Sequence, residues 1–340
     1  MSLTIGMVVS DIRAGTPRVN ETAAEHAVYR RSSRRSHSFR HCASHSAGVS
    51  RLVHRFWTVR VADRILVLMQ NPISRTAYYT LGVRAWDASQ PKPMCGDSFA
   101  ASFMNAEAES IWERFKDFHR PNACNAARHN IIDEHLSTEL AATPKARVVV
   151  LGAGFDTRAF RLKGGQWIEV DEPAIITYKE ARLPAASAPN PLTRVSIDFS
   201  HESLADRLAG YSGQEPTHVV IEGVLMYLTQ AQRRELLESL RNLFPRHFVY
   251  CDLMRQSFFG RYGRDLHHQI VALGASFTDL SETPERLFID AGYRPLACTS
   301  IALHAAELGG FGIPPFVIRW FLGTLRRGYC IWKFAAGERE

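Results

Sequence analysis

Two glycines and three acids stand at the ends of apolar runs, which is where they could do chemistry. Gly152 and Gly154 directly follow Val148-Val-Val-Leu151. Glycine allows a tight turn and lets a ligand approach the backbone closely. Asp171 closes the run Trp167-Ile-Glu-Val-Asp171, 19 residues after Gly152. An acid at that spacing accepts hydrogen bonds from ribose hydroxyls. Asp198-Phe199 ends a third run and Glu222 a fourth. Asp198 suits a purine amino group, with Phe199 offering its backbone amide and an apolar edge. Glu222 suits a ligand ammonium, or simply orders its own loop. Arg128, upstream, carries the charge-assisted fork that grips a carboxylate. Each of these residue types also has a plainer use: a glycine loop, a helix N-cap, an exposed helix arginine. Acids at three successive strand ends point instead to one polar rim.

The turn also bears on which nucleoside fits. A dinucleotide site wants a small residue five positions after the first glycine, so that a helix N-terminus meets a pyrophosphate. Position 157 is threonine, and Phe155 and Asp156 crowd the turn. Asp156 would repel a diphosphate. A ligand with a ribose, a purine and a cationic centre, such as S-adenosylmethionine, avoids that conflict.

The elements needed to hold such a rim can be read from the apolar periodicity. Strands are expected over 148–151, 168–171, 194–199, 217–222, 248–253, 295–300 and 328–334. Helices are expected over 98–118, 123–141, 174–183, 202–208, 229–243 and 284–291. Alternation of the two predicts an α/β fold, a doubly wound, mostly parallel seven-stranded sheet covered on both faces. Ligands of such sheets sit beyond the carboxyl ends of the strands.

Charge divides the chain unevenly. Residues 1–68 hold eleven arginines, no lysine and four acids, which is the whole net charge of +7. From Met69 onward there are 30 basic and 30 acidic residues. The division expected is therefore a basic leader over 1–68, unable to bury much apolar surface, and one globular domain over 69–340. The leader has the composition of an organelle transit peptide or of an over-extended start. It lacks the interleaved aromatics of a nucleic-acid arm, so no nucleic-acid partner is expected. No apolar run reaches the ~18 residues of a membrane span. The six cysteines have no C-x-x-C spacing. They suit a reducing compartment, the cytoplasm or, with a transit peptide, an organelle, and predict no metal site.

Taken together, Leu-Gly-Ala-Gly-Phe-Asp-Thr-Arg-Ala-Phe-Arg-Leu (151–162), Glu-Val-Asp-Glu-Pro (169–173) with Lys179, Asp198-Phe199 and Glu-Gly-Val-Leu-Met-Tyr-Leu (222–228) resemble the leucine carboxyl methyltransferase family. That family includes protein phosphatase methyltransferases and bacterial polyketide O-methyltransferases. Arg75-Thr-Ala-Tyr, residues 82–88 and Cys95-Gly-Asp97 are similar to its N-terminal helical lid. The resemblance covers about residues 74–300 and implies a class I methyltransferase fold with S-adenosylmethionine as cofactor. It carries cofactor roles onto Arg128, Gly152, Gly154, Asp171, Asp198, Phe199 and Glu222. After about residue 300 the chain departs from the phosphatase-specific branch, which puts a phosphatase substrate in doubt.

Methyl transfer from a sulfonium is an in-line displacement, so the protein mainly aligns the nucleophile and excludes water. A carboxylate is ionised at neutral pH and needs no general base, whereas a hydroxyl does. No histidine is expected at a strand's carboxyl end. His201, His218 and His267-His268 are expected at the surface. The acceptor expected is thus a small or peptide-like acid, with no catalytic side chain assigned. Arg84 and Tyr227 are candidates to orient it; packing in the lid and at the core edge are their plainer roles. A nicotinamide-dependent oxidoreductase on a similar sheet and a non-catalytic cofactor-binding homologue are the alternatives.

Overall fold

The computed structural model describes residues 72–199 and 201–337. The leader, 1–68, lies outside the described residues. Ahead of the sheet come α1 (Pro72–Ala88), a 3-10 turn (Ala100–Phe103), α2 (Ala106–Phe115) and α3 (His119–Ala142). The sheet region then runs β1 (Arg147–Leu151), α4 (Arg158–Arg161), β2 (Gln166–Asp171), α5 (Pro173–Arg182) and β3 (Leu192–Ser196). It continues with α6 (Leu204–Leu208), β4 (Thr217–Ile221), α7 (Gln230–Leu243) and β5 (His247–Met254). Beyond β5 lie a π-helical turn (Phe259–Gly263), α8 (Arg264–Val271), α9 (Arg286–Asp290) and β6 (Tyr293–Ser300). Three helices follow, α10 (Ile301–Glu307), α11 (Pro315–Phe321) and α12 (Gly323–Gly328), and then β7 (Tyr329–Ala336).

The seven strands form one sheet in the order β3-β2-β1-β4-β5-β7-β6. β1 to β5 are parallel, and β7 lies antiparallel to both of its neighbours. The valine run of β1 has no polar face because both of its faces are covered. Val148 and Val150 join Ile131, Ile132, Leu136 and Leu140 of α3 in one core. Val149 and Leu151 point the other way, to Leu237, Leu240 and Leu243 of α7. Period-two alternation thus divides one strand between two cores. α7 begins at the expected Thr229, whose side chain caps the helix in a reciprocal box with Gln232. The capping box satisfies two end amides that would otherwise be orphaned.

Four expectations need correction. The helix expected over 98–118 is broken, because Asn105 has extended backbone and caps α2 by accepting from the Ala108 amide. The third strand stops at Ser196, so Asp198 and Phe199 lie in the loop beyond it. His218 is buried within β4, stacked on Phe248, and not at the surface. Residues 301–328 form three helices where none was expected.

Candidate active site

The carboxyl ends of β1, β2, β3 and β4 converge. Gly152 and Gly154 sit in left-handed conformations, with φ of 64° and 46°. A Cβ on Gly152 would lie 2.5 Å from Val224 Cγ2, so the turn has no room for a side chain there. The Gly154 amide donates to Asp171 Oδ2 at 2.6 Å, and the Glu172 amide donates to Oδ1 at 2.7 Å. Each carboxylate oxygen keeps a further lone pair for a ligand hydroxyl. Burial pushes the Asp171 carboxyl above its usual range, against the pull of those two amides. α1 covers the turn, with the Ala77 methyl 3.5 Å from where a Gly154 side chain would start.

Asp198 and Phe199 follow β3, whose end pairs with Asp171 through the Ile197 amide. The Asp198 carboxylate is half exposed and lies 3.0 Å from His201 Nδ1. The Asp198 amide donates to Glu202 Oε2 at 2.7 Å, which fixes the loop.

Glu222, one residue past β4, ends in a buried cluster of arginines. Its Oε1 accepts from Arg128 Nε at 3.0 Å and its Oε2 from Arg158 Nη2 at 2.7 Å. Arg128 also reaches Asp252 Oδ2 at 3.2 Å and the Tyr329 hydroxyl at 2.8 Å through Nη1. Its Nη2 has no hydrogen bond among the described residues. Asp252 Oδ1 accepts from the Gly223 amide at 2.7 Å, which ties β5 to the Glu222 loop. Arg158 pairs in turn with Asp133 and Asp156. Burial alone would raise these carboxyls. The Arg158 guanidinium together with the other charges of the cluster outweighs it, and they hold Asp156 at about 2 and Glu222 well below the usual range.

His129 occupies the centre of this cluster. Its Nε2 lies 2.7 Å from Arg161 Nη2 and its Nδ1 2.8 Å from Arg158 Nη2. Nδ1 also lies 3.1 Å from Glu222 Oε2, so both ring nitrogens are engaged by charged partners. His129, Asp156 and Glu222 place ligand atoms within 4.8 Å of one another, as a metal site would. Arg158 already contacts all three, so the cation of this cluster is an arginine.

The two candidate substrate residues have separate surroundings. Arg84 is buried, donating to the Phe155 carbonyl at 2.9 Å and ion-paired with Asp97 at 3.3 Å. It clips the lid helix to the glycine turn. The Tyr227 hydroxyl, pushed up to about 12 by burial, bonds to Thr76 of α1, and its ring meets Phe277 edge-on at 5.4 Å.

Sequence reasoning passed over His129, Asp133, Arg158, Arg161, Asp252 and Tyr329. Three of them left a signal. His129 and Asp133 are one helical turn apart, and Asp252 interrupts the apolar run of β5. Tyr329 left none, since an aromatic in a strand is ordinary.

Residues 77–241 match the model of the leucine carboxyl methyltransferase family, and this stretch holds the glycine turn, Asp171, Asp198 and Glu222. That stretch, just under half of the chain, is similar to that family. A protein of Parafrankia sp., provisionally named an S-adenosyl-L-methionine-dependent methyltransferase, is 32% identical over 186 residues, 50% of this chain and 59% of the relative. The tetracenomycin polyketide synthesis O-methyltransferase of Streptomyces glaucescens is 28% identical over 183 residues, 53% of this chain and 65% of the relative. The chain thus matches less than two thirds of the length of either. A solved structure from Thermobifida fusca, provisionally named a methyltransferase, shares the fold with a TM-score of 0.51 at 15% identity, over 75% of this chain and 94% of that one.

The leucine carboxyl methyltransferase segment fits S-adenosylmethionine better than a dinucleotide. α4 has only four residues, and the Asp156 carboxylate already accepts its first amide at 2.7 Å. A pyrophosphate would find that helix end taken and negatively charged. The nicotinamide alternative finds no support in these relatives or in this turn.

Proposed function

We propose that the chain transfers a methyl group from S-adenosylmethionine to a carboxylate oxygen of a small or peptide-like acid. The observation that carries the reading is the 2.6 Å contact between the Gly154 amide and Asp171, which seats an acid beneath the glycine turn within the family segment. Asp171 takes the ribose hydroxyls, Asp198 and the Phe199 amide take the adenine edge, and Gly152 and Gly154 let the backbone approach. Arg128 uses its free Nη2 for the cofactor carboxylate, and Glu222 both aims Arg128 and faces the ammonium. When bound, the sulfonium supplies an electrophilic methyl carbon.

The protein's remaining work is alignment and exclusion of water. The lid helix α1, pinned through Arg84 and through Thr76 to Tyr227, closes the site from above. The side chains at hand suit an acceptor that brings no proton. Both ring nitrogens of His129 are engaged. Tyr227 stays protonated at neutral pH. His267 Nε2 accepts the Phe277 amide at 3.1 Å. A carboxylate acceptor needs none of them as a base.

Transfer of labelled methyl across a library of carboxylic acids and phenols, with mild alkali treatment of the product, tests the reading. A base-labile ester supports it. An alkali-stable ether moves the acceptor to a hydroxyl, and cofactor binding without turnover on any acceptor leaves a binding protein. Among the described residues all five cysteines are free thiols and no helix is long and apolar enough to cross a membrane. Reduced thiols support a cytoplasmic location.

A further inference from the structure

The helical insert between β6 and β7 ends in a surface that the methyl-transfer reading does not use. Nine large hydrophobic residues are exposed among the described residues, and the three most exposed share one seven-residue helix. These are Phe316, Trp320 and Phe321 of α11, at 60%, 75% and 76% exposure. Phe316 and Trp320 are four residues apart, hence on one helix face. Ile318, two residues from each, is fully buried and anchors the opposite face. The helix is therefore well seated, and its aromatic side is presented outward by the packing.

Within the chain segment that carries it, the charges have one sign. From Leu308 to Gly337 there are four basic residues, Arg319, Arg326, Arg327 and Lys333, and no acid. The rest of the chain from Met69 has 26 basic and 30 acidic residues, so this is a local excess. Lys333 is paired with Glu139 and Arg319 with Glu307. Arg327 is exposed with no ion pair among the described residues. Tyr262 of the π-helical turn, with Arg261 over its ring, packs on Phe258, which lies against Gly328 at the end of α12.

We infer that α11 and the α12 arginines dock the protein on an anionic lipid surface. Tryptophan and phenylalanine insert at the headgroup level, and arginines beside them gain from anionic lipids. Two other occupants fit the charges worse. The leader carries eleven arginines against four acids and would be repelled. A second copy would set the same arginines against one another. Surface docking of this kind needs no spanning helix.

The position gives the contact a use. α12 leads directly into β7, whose first residue, Tyr329, bonds Arg128 and Asp252. The docking face thus lies on the chain segment that walls the candidate active site. A lipophilic acid dissolved in the bilayer would be presented at the sheet end where Glu222 and Tyr227 sit. This use rests on the proposed methyl transfer; the docking itself does not.

Flotation of the full chain with phosphatidylcholine vesicles, with and without 30 mol% phosphatidylglycerol, is the test. We expect flotation with the anionic vesicles only, weakening as salt rises. Trp320→Ser with Phe321→Ser should lower it at least tenfold, and Arg327→Glu severalfold. Brominated lipid should quench the wild type more than Trp320→Phe. Both aromatics are exposed, so folding and cofactor affinity should stay unchanged, and calorimetry with S-adenosylhomocysteine checks this separately from docking. Equal flotation of the double variant would assign binding to another segment, such as the leader, and overturn the inference. So would wild type that stays off the vesicles but forms a dimer which the double variant dissolves. Failure of methyl transfer with intact flotation would refute the proposed function and leave the docking standing.

Discussion

Asp171 and Glu222 are both buried acids at strand ends, yet they are tuned in opposite directions. For Asp171 burial outweighs two amides and the Lys179 charge, so its carboxyl is raised. Glu222 and Asp156 have guanidinium partners, so theirs are lowered. The signs of their pH effects differ accordingly. A depressed carboxyl contributes stability that is complete above its unfolded value, near ~4. That stability is lost as pH falls through the folded value, about 2 for Asp156. Asp171, with a raised value, is protonated first on acidification, and its protonation relieves strain on the fold while removing the acceptor of the ribose. Cofactor affinity should therefore fall at a higher pH than the fold does. Calorimetry and circular dichroism over the same acid titration check it; coincident losses would contradict it. Asp171→Ala should weaken cofactor binding by about 2–3 kcal/mol, since two ligand hydroxyls lose a charged acceptor. Asp198→Ala should cost less, because its carboxylate is half exposed. Glu222→Gln strands buried arginines and should cost about 3–5 kcal/mol of stability in a denaturant titration. The rim acids were legible in the sequence because acids ending apolar strands break a pattern. The arginine cluster behind them was not, because nothing in the spacing of Arg158 and Arg161 names their partners. Only the fold brings them to Asp133 and Glu222, 25 or more residues away.

At the scale of elements, the turn after β1 is the most constrained piece. Gly152→Ala should lower stability by about 1–2 kcal/mol for its left-handed φ alone. The clash with Val224 adds to that. Gly309 has φ of 84° but nothing within 4 Å of its would-be side chain. Gly309→Ala should thus show the backbone cost without the clash, and the difference between the two melts isolates the packing. Apart from β3, which ends three residues early, the parallel strands were placed within one or two residues, because a strand covered on both faces writes an unbroken apolar run. β6 carries Pro295, where the register shifts before Ala297. An edge strand tolerates that, since one side of its ladder is unpaired. The insert after it went unread because α10 is short and packs through alanines. Ala302, Ala305 and Ala306 look unremarkable in a sequence, yet their small size is what lets α10 lie close on α3.

For the molecule as a whole, charge and function separate along the chain. Deleting residues 1–68 should leave cofactor affinity and the melting temperature of the remainder nearly unchanged, because the family segment begins at residue 77. A truncated protein that aggregates would show that the segment with Phe56, Trp57 and Ile65 belongs to the core. Methyl transfer itself should hold level from about pH 6 to 8, since an acceptor acid with a pKa near ~4 stays ionised throughout. A rate that falls below pH 6.5 would indicate a histidine base and a hydroxyl acceptor. The antiparallel pairing of β6 with β7 has a consequence for how such proteins diversify. Ser300 and Cys330 are ladder partners, so the insert leaves the sheet and returns to it at one point. Its two ends are already where a hairpin turn would put them. The α11–α12 portion can therefore be exchanged for loops of other lengths without shifting a strand, provided α10 stays to cover α3. A chimera that keeps 301–307 and grafts a foreign loop over 309–327 should retain the sheet and its strand-end acids while changing the surface presented there. The seam between those two pieces marks where the chain can be recut without disturbing the sheet.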